Sequence, residues 1–154
     1  MDKALRNKLR STVTEARKIL EEATREQLQG KFGIHASGFV EDARSMLHLS
    51  EEEQQHREQI LTHLDHIKAA HSSPSVAVDQ LVREIAFTHL NRLCAYKMME
   101  TRRLIREAVS RGMKSNGFMF YMADHPEEER NWDTGKQELA YQHFLIWLGE
   151  TLSE

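Results

Sequence analysis

Nine histidines among 154 residues invite a metal-binding reading, and the best placed are His56, His63 and His66, whose i, i+7, i+10 spacing puts them on one helical face. The face suits a metal, but the reach does not. At about 1.5 Å of rise per residue, His56 lies roughly 10 Å along the axis from His63, so only His63 and His66 could share an ion. Gln59, on the same face, offers only a neutral amide. Zinc needs further thiolate, imidazole or carboxylate ligands, and the chain has no HExxH and no paired Cys/His spacing. A solvated polar face is the better account. His89, His125 and His143 stand singly, which leaves nucleophile-and-base chemistry without support. No glycine-rich loop follows a strand pattern, so no nucleotide or dinucleotide site is indicated.

The other chemistry-bearing group lies in FTHLNRLCAYKMMETRRLI, residues 87–105. At about 100° per residue, Phe87, Leu90, Leu93, Cys94, Met98, Leu104 and Ile105 fill one arc of a helix, with Lys97 and Thr101 inside it. Asn91, Glu100 and Arg102 lie at its edges, whereas Arg92, Tyr96, Arg103 and Arg106 point away. Burying an unpaired ammonium costs several kcal/mol. Lys97 must therefore snorkel, pair with a carboxylate such as Glu100 at i+3, or meet a covering surface from elsewhere. Cys94, amid Phe87, Leu90 and Met98, reads as a buried, inert thiol.

The elements that position these residues read as helices. Leu5, Leu9, Val13, Ala16, Leu20 and Ala23 recur at helical spacing from Asp2 to about Gln29, and Gly30 ends that helix. GKFGIHASGFVED, with three glycines, is a loop or small hairpin-like turn. Ser50 and Glu53 have capping-box spacing ahead of a stripe of Ile60, Leu64 and Ile67. Pro74 suits the first turn of a third helix running to Arg102 or beyond, with Ser72 or Ser73 as its cap. Residues 110–135 are punctuated by Gly112, Gly117, Pro126 and Gly135, which predicts irregular chain with a short strand at Phe118–Met122 and a helical turn at Glu127–Trp132. The last element puts Ala140, Phe144, Trp147 and Leu148 on one helical face.

Composition agrees. Seven glycines, two prolines, 40% hydrophobic and 29% charged residues favour one soluble all-α domain over 1–154. The expected fold is a bundle of four to six helices around a long central one, with a minor hairpin near 31–40 or 117–122. No run reaches the roughly 18 apolar residues that cross a bilayer, and the lone cysteine suggests a reducing cytoplasm. Charge is segregated within the net −3: residues 83–114 hold eight basic and three acidic side chains, residues 124–154 two basic and eight acidic. The basic helix therefore suits an acidic partner or a phosphate backbone.

LNRLCAYKMMETRRLI, with MDKALRNKLRSTVTEARKIL, the GIHASG turn and REAVSRG, resembles the amino-terminal region of the PglX-type adenine-specific DNA methyltransferases of BREX phage-defence systems. More loosely, the helix is similar to the one preceding the methyltransferase domain of single-chain restriction-modification enzymes. The resemblance spans nearly the whole chain and is less distinctive over 113–133. It implies a parent enzyme that transfers a methyl group from S-adenosylmethionine to adenine N6 in a short DNA site. That chemistry needs an Asn/Asp-Pro-Pro-Tyr/Phe motif and a strand-then-glycine cofactor loop. Pro74 and Pro126 are isolated and neither motif occurs, so no catalytic or cofactor residue carries over and this chain alone is expected to be non-catalytic.

Two functions follow as expectations. One is a helical scaffold packing on the methyltransferase core, with Asn91, Lys97, Glu100 and Arg102 as interdomain or buried-polar positions, and with DNA and other defence proteins reached through the parent. The other is a free-standing DNA- or protein-binding module in which Arg92, Arg103, Arg106, Arg111 and Lys114 contact phosphates or a partner. The pI near 6.3 and the lack of a helix-turn-helix signature weigh against the DNA version of the second.

Overall fold

The computed structural model describes residues 2–153. Among the described residues the chain is all-α: α1 (Lys3–Gly30), α2 (Glu51–Ala70), α3 (Pro74–Thr101), α4 (Asn116–Asp124), α5 (Glu129–Asp133) and α6 (Gln137–Thr151), with short 3-10 turns at Ala43–Ser45, Gly112–Lys114 and Pro126–Glu128. None of these helices is long and apolar enough to cross a membrane. Two compact units divide the chain, Met1–Leu90 and Asn91–Glu154, and α3 contributes residues to each.

The first unit gathers its core where three helices present apolar faces: Leu28 of α1, Leu64 and Ile67 of α2, and Ala77, Val78, Leu81 and Val82 of α3, together with Phe32, Ile34, Met46 and Leu49 from the intervening loop. Ser50 and Glu53 close the expected capping box, each side chain accepting from the other's backbone amide. The GIHASG turn is a tight excursion joined by one antiparallel bridge, Ile34 to Val40. Arg57, buried on α2, holds it: Nε donates to the Phe32 carbonyl at 2.8 Å and an Nη to the Glu41 carbonyl at 2.6 Å. A guanidinium can be buried there because loop carbonyls that lack ladder partners receive its protons. Only the carboxyl-terminal end of α1 enters this core, through Thr24 and Leu28. Leu5, Leu9 and Val13 are 56%, 54% and 39% exposed.

The second unit packs Tyr96 of α3, Ala108, Phe118 and Tyr121 of α4, and Ala140, Phe144 and Leu148 of α6 into one core. The strand expected at Phe118–Met122 is instead the middle of α4. Ser115 caps it by accepting the Phe118 amide, and Phe118 and Tyr121, three residues apart, share the buried face. Two glycines are required by close approach. A Cβ at Gly117 would sit 2.6 Å from the Glu107 carbonyl oxygen, which accepts the Gly117 amide, and one at Gly149 would sit 2.5 Å from the Tyr96 hydroxyl.

Candidate interaction surface

Of the residues singled out on the central helix and the segment after it, all but Phe87 and Leu90 belong to the second unit, and the geometry there begins with where α3 stops. The expected helix over 87–105 ends at Thr101. The Leu104 amide donates to Met99 O and the Arg103 amide to Glu100 O, the pattern of a Schellman stop, with Arg103 at φ +60° in the left-handed position usually taken by glycine. The turn displaces Leu104 and Ile105 from the helical arc to which the 3.6 period assigned them.

That arc is not the buried face. Met98 is 56% and Leu104 68% exposed, Cys94 is exposed rather than buried, and Phe87 in the first unit is 59% exposed. Tyr96, expected to point outward, is 4% exposed, and its hydroxyl donates to the Leu145 carbonyl at 3.0 Å. Burial, partly offset by the nearby Arg92 charge, pushes the Tyr96 phenol above its usual range. The core of this unit therefore forms against the Tyr96 side of α3, with Leu93, Met99 and Glu100 half-buried beside it, while Cys94 and Met98 on the opposite side are left open.

Lys97 lies on that open side and is paired. Its ammonium donates to Glu100 Oε1 at 3.2 Å and to the Ser110 hydroxyl, while about half of the side chain remains exposed. Glu100 is the centre of the arrangement, with only 9% of its side chain exposed. Its Oε2 accepts the backbone amides of Ala108 at 3.0 Å, Val109 at 2.8 Å and Ser110 at 3.2 Å, and its Oε1 accepts the Ser110 hydroxyl. Burial alone would raise this carboxyl. The Ser110 hydroxyl and the Val109, Ala108 and Ser110 amides outweigh it and hold the group well below the usual carboxylate range. Tyr141 supports the same loop by donating to the Ala108 carbonyl at 2.7 Å; burial first, then the Glu100 charge, raise its phenol.

The expected phosphate or partner contacts divide into two groups. Arg106 lies over the Phe120 ring with its guanidinium carbon 3.8 Å from the centroid. Arg111 donates to Glu107 at 2.6 Å and to Asn116 at 3.2 Å. Arg102, Arg103 and Lys114 are exposed and make no side-chain hydrogen bond or ion pair to another described residue; Asn91 and Arg92 are also exposed. Residues 102–114 therefore form a basic strap, fastened by Glu100 and Tyr141 from outside it and by Glu107 within it.

A second polar network had no signal in the spacing of residues. Glu128, buried, accepts from the Asn131 amide at 2.7 Å, from His143 Nδ1 at 2.7 Å and from the Tyr121 hydroxyl at 3.3 Å. Burial raises the Glu128 carboxyl, but the Asn131 and His143 hydrogen bonds, the His143 charge and the Tyr121 hydrogen bond bring it below its ordinary value. Burial, the Glu128 charge and hydrogen bond, and Glu127 push Tyr121 up to about 12. His125 stacks on Tyr121, and Trp147 and Phe144 complete an aromatic wall. His63, from the sequence-expected histidine face, is joined to Glu84 of α3 at 2.6 Å.

The described residues contain no strand from which a glycine loop could spring, and Pro74 and Pro126 each open a helix singly. No group of three metal-ligating side chains is assembled among the described residues either. The arrangement is suited to presenting a surface: an open apolar helix face beside a rigidly held basic strap. In comparison with known proteins, no family model, curated protein or solved structure matches the chain.

Proposed function

We propose that the chain is a non-catalytic helical interaction module, the amino-terminal scaffold of an S-adenosylmethionine-dependent adenine-N6 DNA methyltransferase of a phage-defence or restriction-modification system. The carrying observation is the pair of open apolar side chains Cys94 and Met98 on α3, with Leu104 exposed at the start of the basic strap whose 108–110 amides are held on Glu100. Exposed apolar patches rimmed by polar groups mark surfaces that meet another protein. The amino-terminal and central-helix motifs support the methyltransferase as that protein, and a lone cysteine suits a reducing cytoplasm. The test adds the chain in trans to the rest of the methyltransferase and measures co-purification and adenine methylation. Association lost in Met98→Asp/Leu104→Asp supports the reading; no association and unchanged methylation would count decisively against it.

A second reading, a module that grips nucleic acid through the strap, is favoured by Arg102, Arg103 and Lys114 standing exposed without acidic partners among the described residues. Each phosphate neutralised steepens the salt dependence by about 0.9 log units per log unit of salt. An anisotropy titration at low salt that shows no binding removes it.

A further inference from the structure

Between α4 and α5 of the second unit lies a groove of about 600 Å³ lined by Met119, Met122, Ala123 and Trp132, with Glu129 and Asp133 at its rim. Met119 is 54% and Trp132 36% exposed, so the floor is apolar and open. Glu129 and Asp133 stand four residues apart on α5, where like charges repel, and neither pairs with a cation among the described residues. Methionine side chains adapt to irregular apolar anchors, and an acid-rimmed groove of this kind suits the apolar face of a basic amphipathic helix.

The chain carries such a helix. On the first half of α1, Leu5, Leu9 and Val13 form an uncovered stripe, flanked by Arg6 and Arg10 on one edge and Lys8 on the other. Residues 2–18 hold six basic and two acidic side chains, a net of +4, and residues 124–133 hold five acidic and one basic, a net of −4. Pairing α1 with another α1 over this half would oppose two basic surfaces.

We infer that the α4–α5 groove receives the first half of α1 from a second copy of the chain, with Leu5 and Leu9 on the Met119–Trp132 floor and Arg6 and Arg10 meeting Glu129 and Asp133. The contact joins unlike surfaces, so reciprocal use closes a dimer and successive use builds a chain of copies. It does not rest on the methyltransferase reading and stands or falls separately.

Sedimentation velocity of the full chain over a range of concentrations tests it. Wild type is expected to self-associate in a concentration- and salt-dependent way. Leu9→Asp, or Glu129→Lys with Asp133→Lys, weakens association by about tenfold or more. These positions are exposed, and an unchanged circular dichroism spectrum verifies the fold. The decisive arm mixes an Arg6→Glu/Arg10→Glu chain with a Glu129→Lys/Asp133→Lys chain: each alone is monomeric, and the mixture associates because both contacts regain opposite charge. Wild type that stays monomeric throughout, association that survives both reversals, or a mixture that remains monomeric would overturn the inference. The first of these would leave nucleic acid or another anionic surface as the destination of α1.

Discussion

Glu100 accepts the Val109 amide at 2.8 Å, so the last turn of α3 binds, through a carboxylate, the loop that follows it nine residues later. Because the Ala108 and Ser110 amides and the Ser110 hydroxyl share that carboxylate, its charge is met by hydrogen bonds from a single strap. Glu100→Gln replaces one acceptor oxygen with an NH₂ donor facing other donors. It is expected to cost about 2–3 kcal/mol of stability in denaturant unfolding, the range for a buried charge-assisted bond left unmade.

The pH dependence of the same group has a definite sign. The folded carboxyl titrates below its ordinary value, whereas in the unfolded chain it takes up a proton near pH 4.3. The stabilisation is therefore fully present above that unfolded value and is lost as pH falls toward the folded one. Unfolding midpoints of wild type and Glu100→Gln should converge as the solution is acidified, because the variant lacks this acid-sensitive contribution.

Arg57 offers a test confined to the first unit. Arg57→Ala leaves the Phe32 and Glu41 carbonyls without their donor and opens a cavity beside the turn. A loss of about 3 kcal/mol is expected. Faster amide exchange at Ile34 and Glu41 would separate loosening of the turn from a general loss of stability.

Arg103 holds a left-handed backbone at φ +60°, which costs an L residue roughly 1 kcal/mol. Arg103→Gly relieves that strain while making the unfolded chain freer, so a net gain of about 0.5 kcal/mol is expected. A loss of stability would show that the Arg103 side chain contributes more than its backbone costs.

All three tyrosines, Tyr96, Tyr121 and Tyr141, are raised by burial. Phenolate absorbance of the folded protein should therefore begin to rise above the usual tyrosine range, with one component near pH 12 from Tyr121. Glu128→Ala removes the charge that opposes Tyr121 ionisation and should move that component downward. An unmoved titration would disconnect the two residues.

Much of the fold was readable because its signals are local. Ser50 with Glu53, Pro74 and the period of Ile60, Leu64 and Ile67 each act within a turn or two of helix and place α2 and α3 closely. FMFYM was not readable as a helix because an unbroken apolar run has no period; the available signal was Ser115, three residues before Phe118. The helical wheel named the more apolar side of α3 but could not say which side this chain covers. Tyr96 is covered, whereas Cys94 and Met98 on the opposite side are open and Leu93 between them is half-buried. Lys97 with Glu100 was legible as an i, i+3 pair, whereas the larger role of Glu100 depends on a loop closing over it from eight to ten residues away. The Glu128 network likewise joins α4, α5 and α6, elements whose meeting no local spacing encodes.

The same carboxylate governs motion. The 108–110 amides belong to no helix and on that ground would trade their hydrogens with solvent within seconds to minutes. Held on Glu100, they can do so only when the ion and three donors part together, an event tied to opening of the unit rather than to fraying of a loop. The 108–110 part of the basic strap is thus a backbone outside any helix that keeps a fixed shape, and a partner meeting it has little backbone ordering left to impose, only that of exposed side chains such as Arg102 and Arg103.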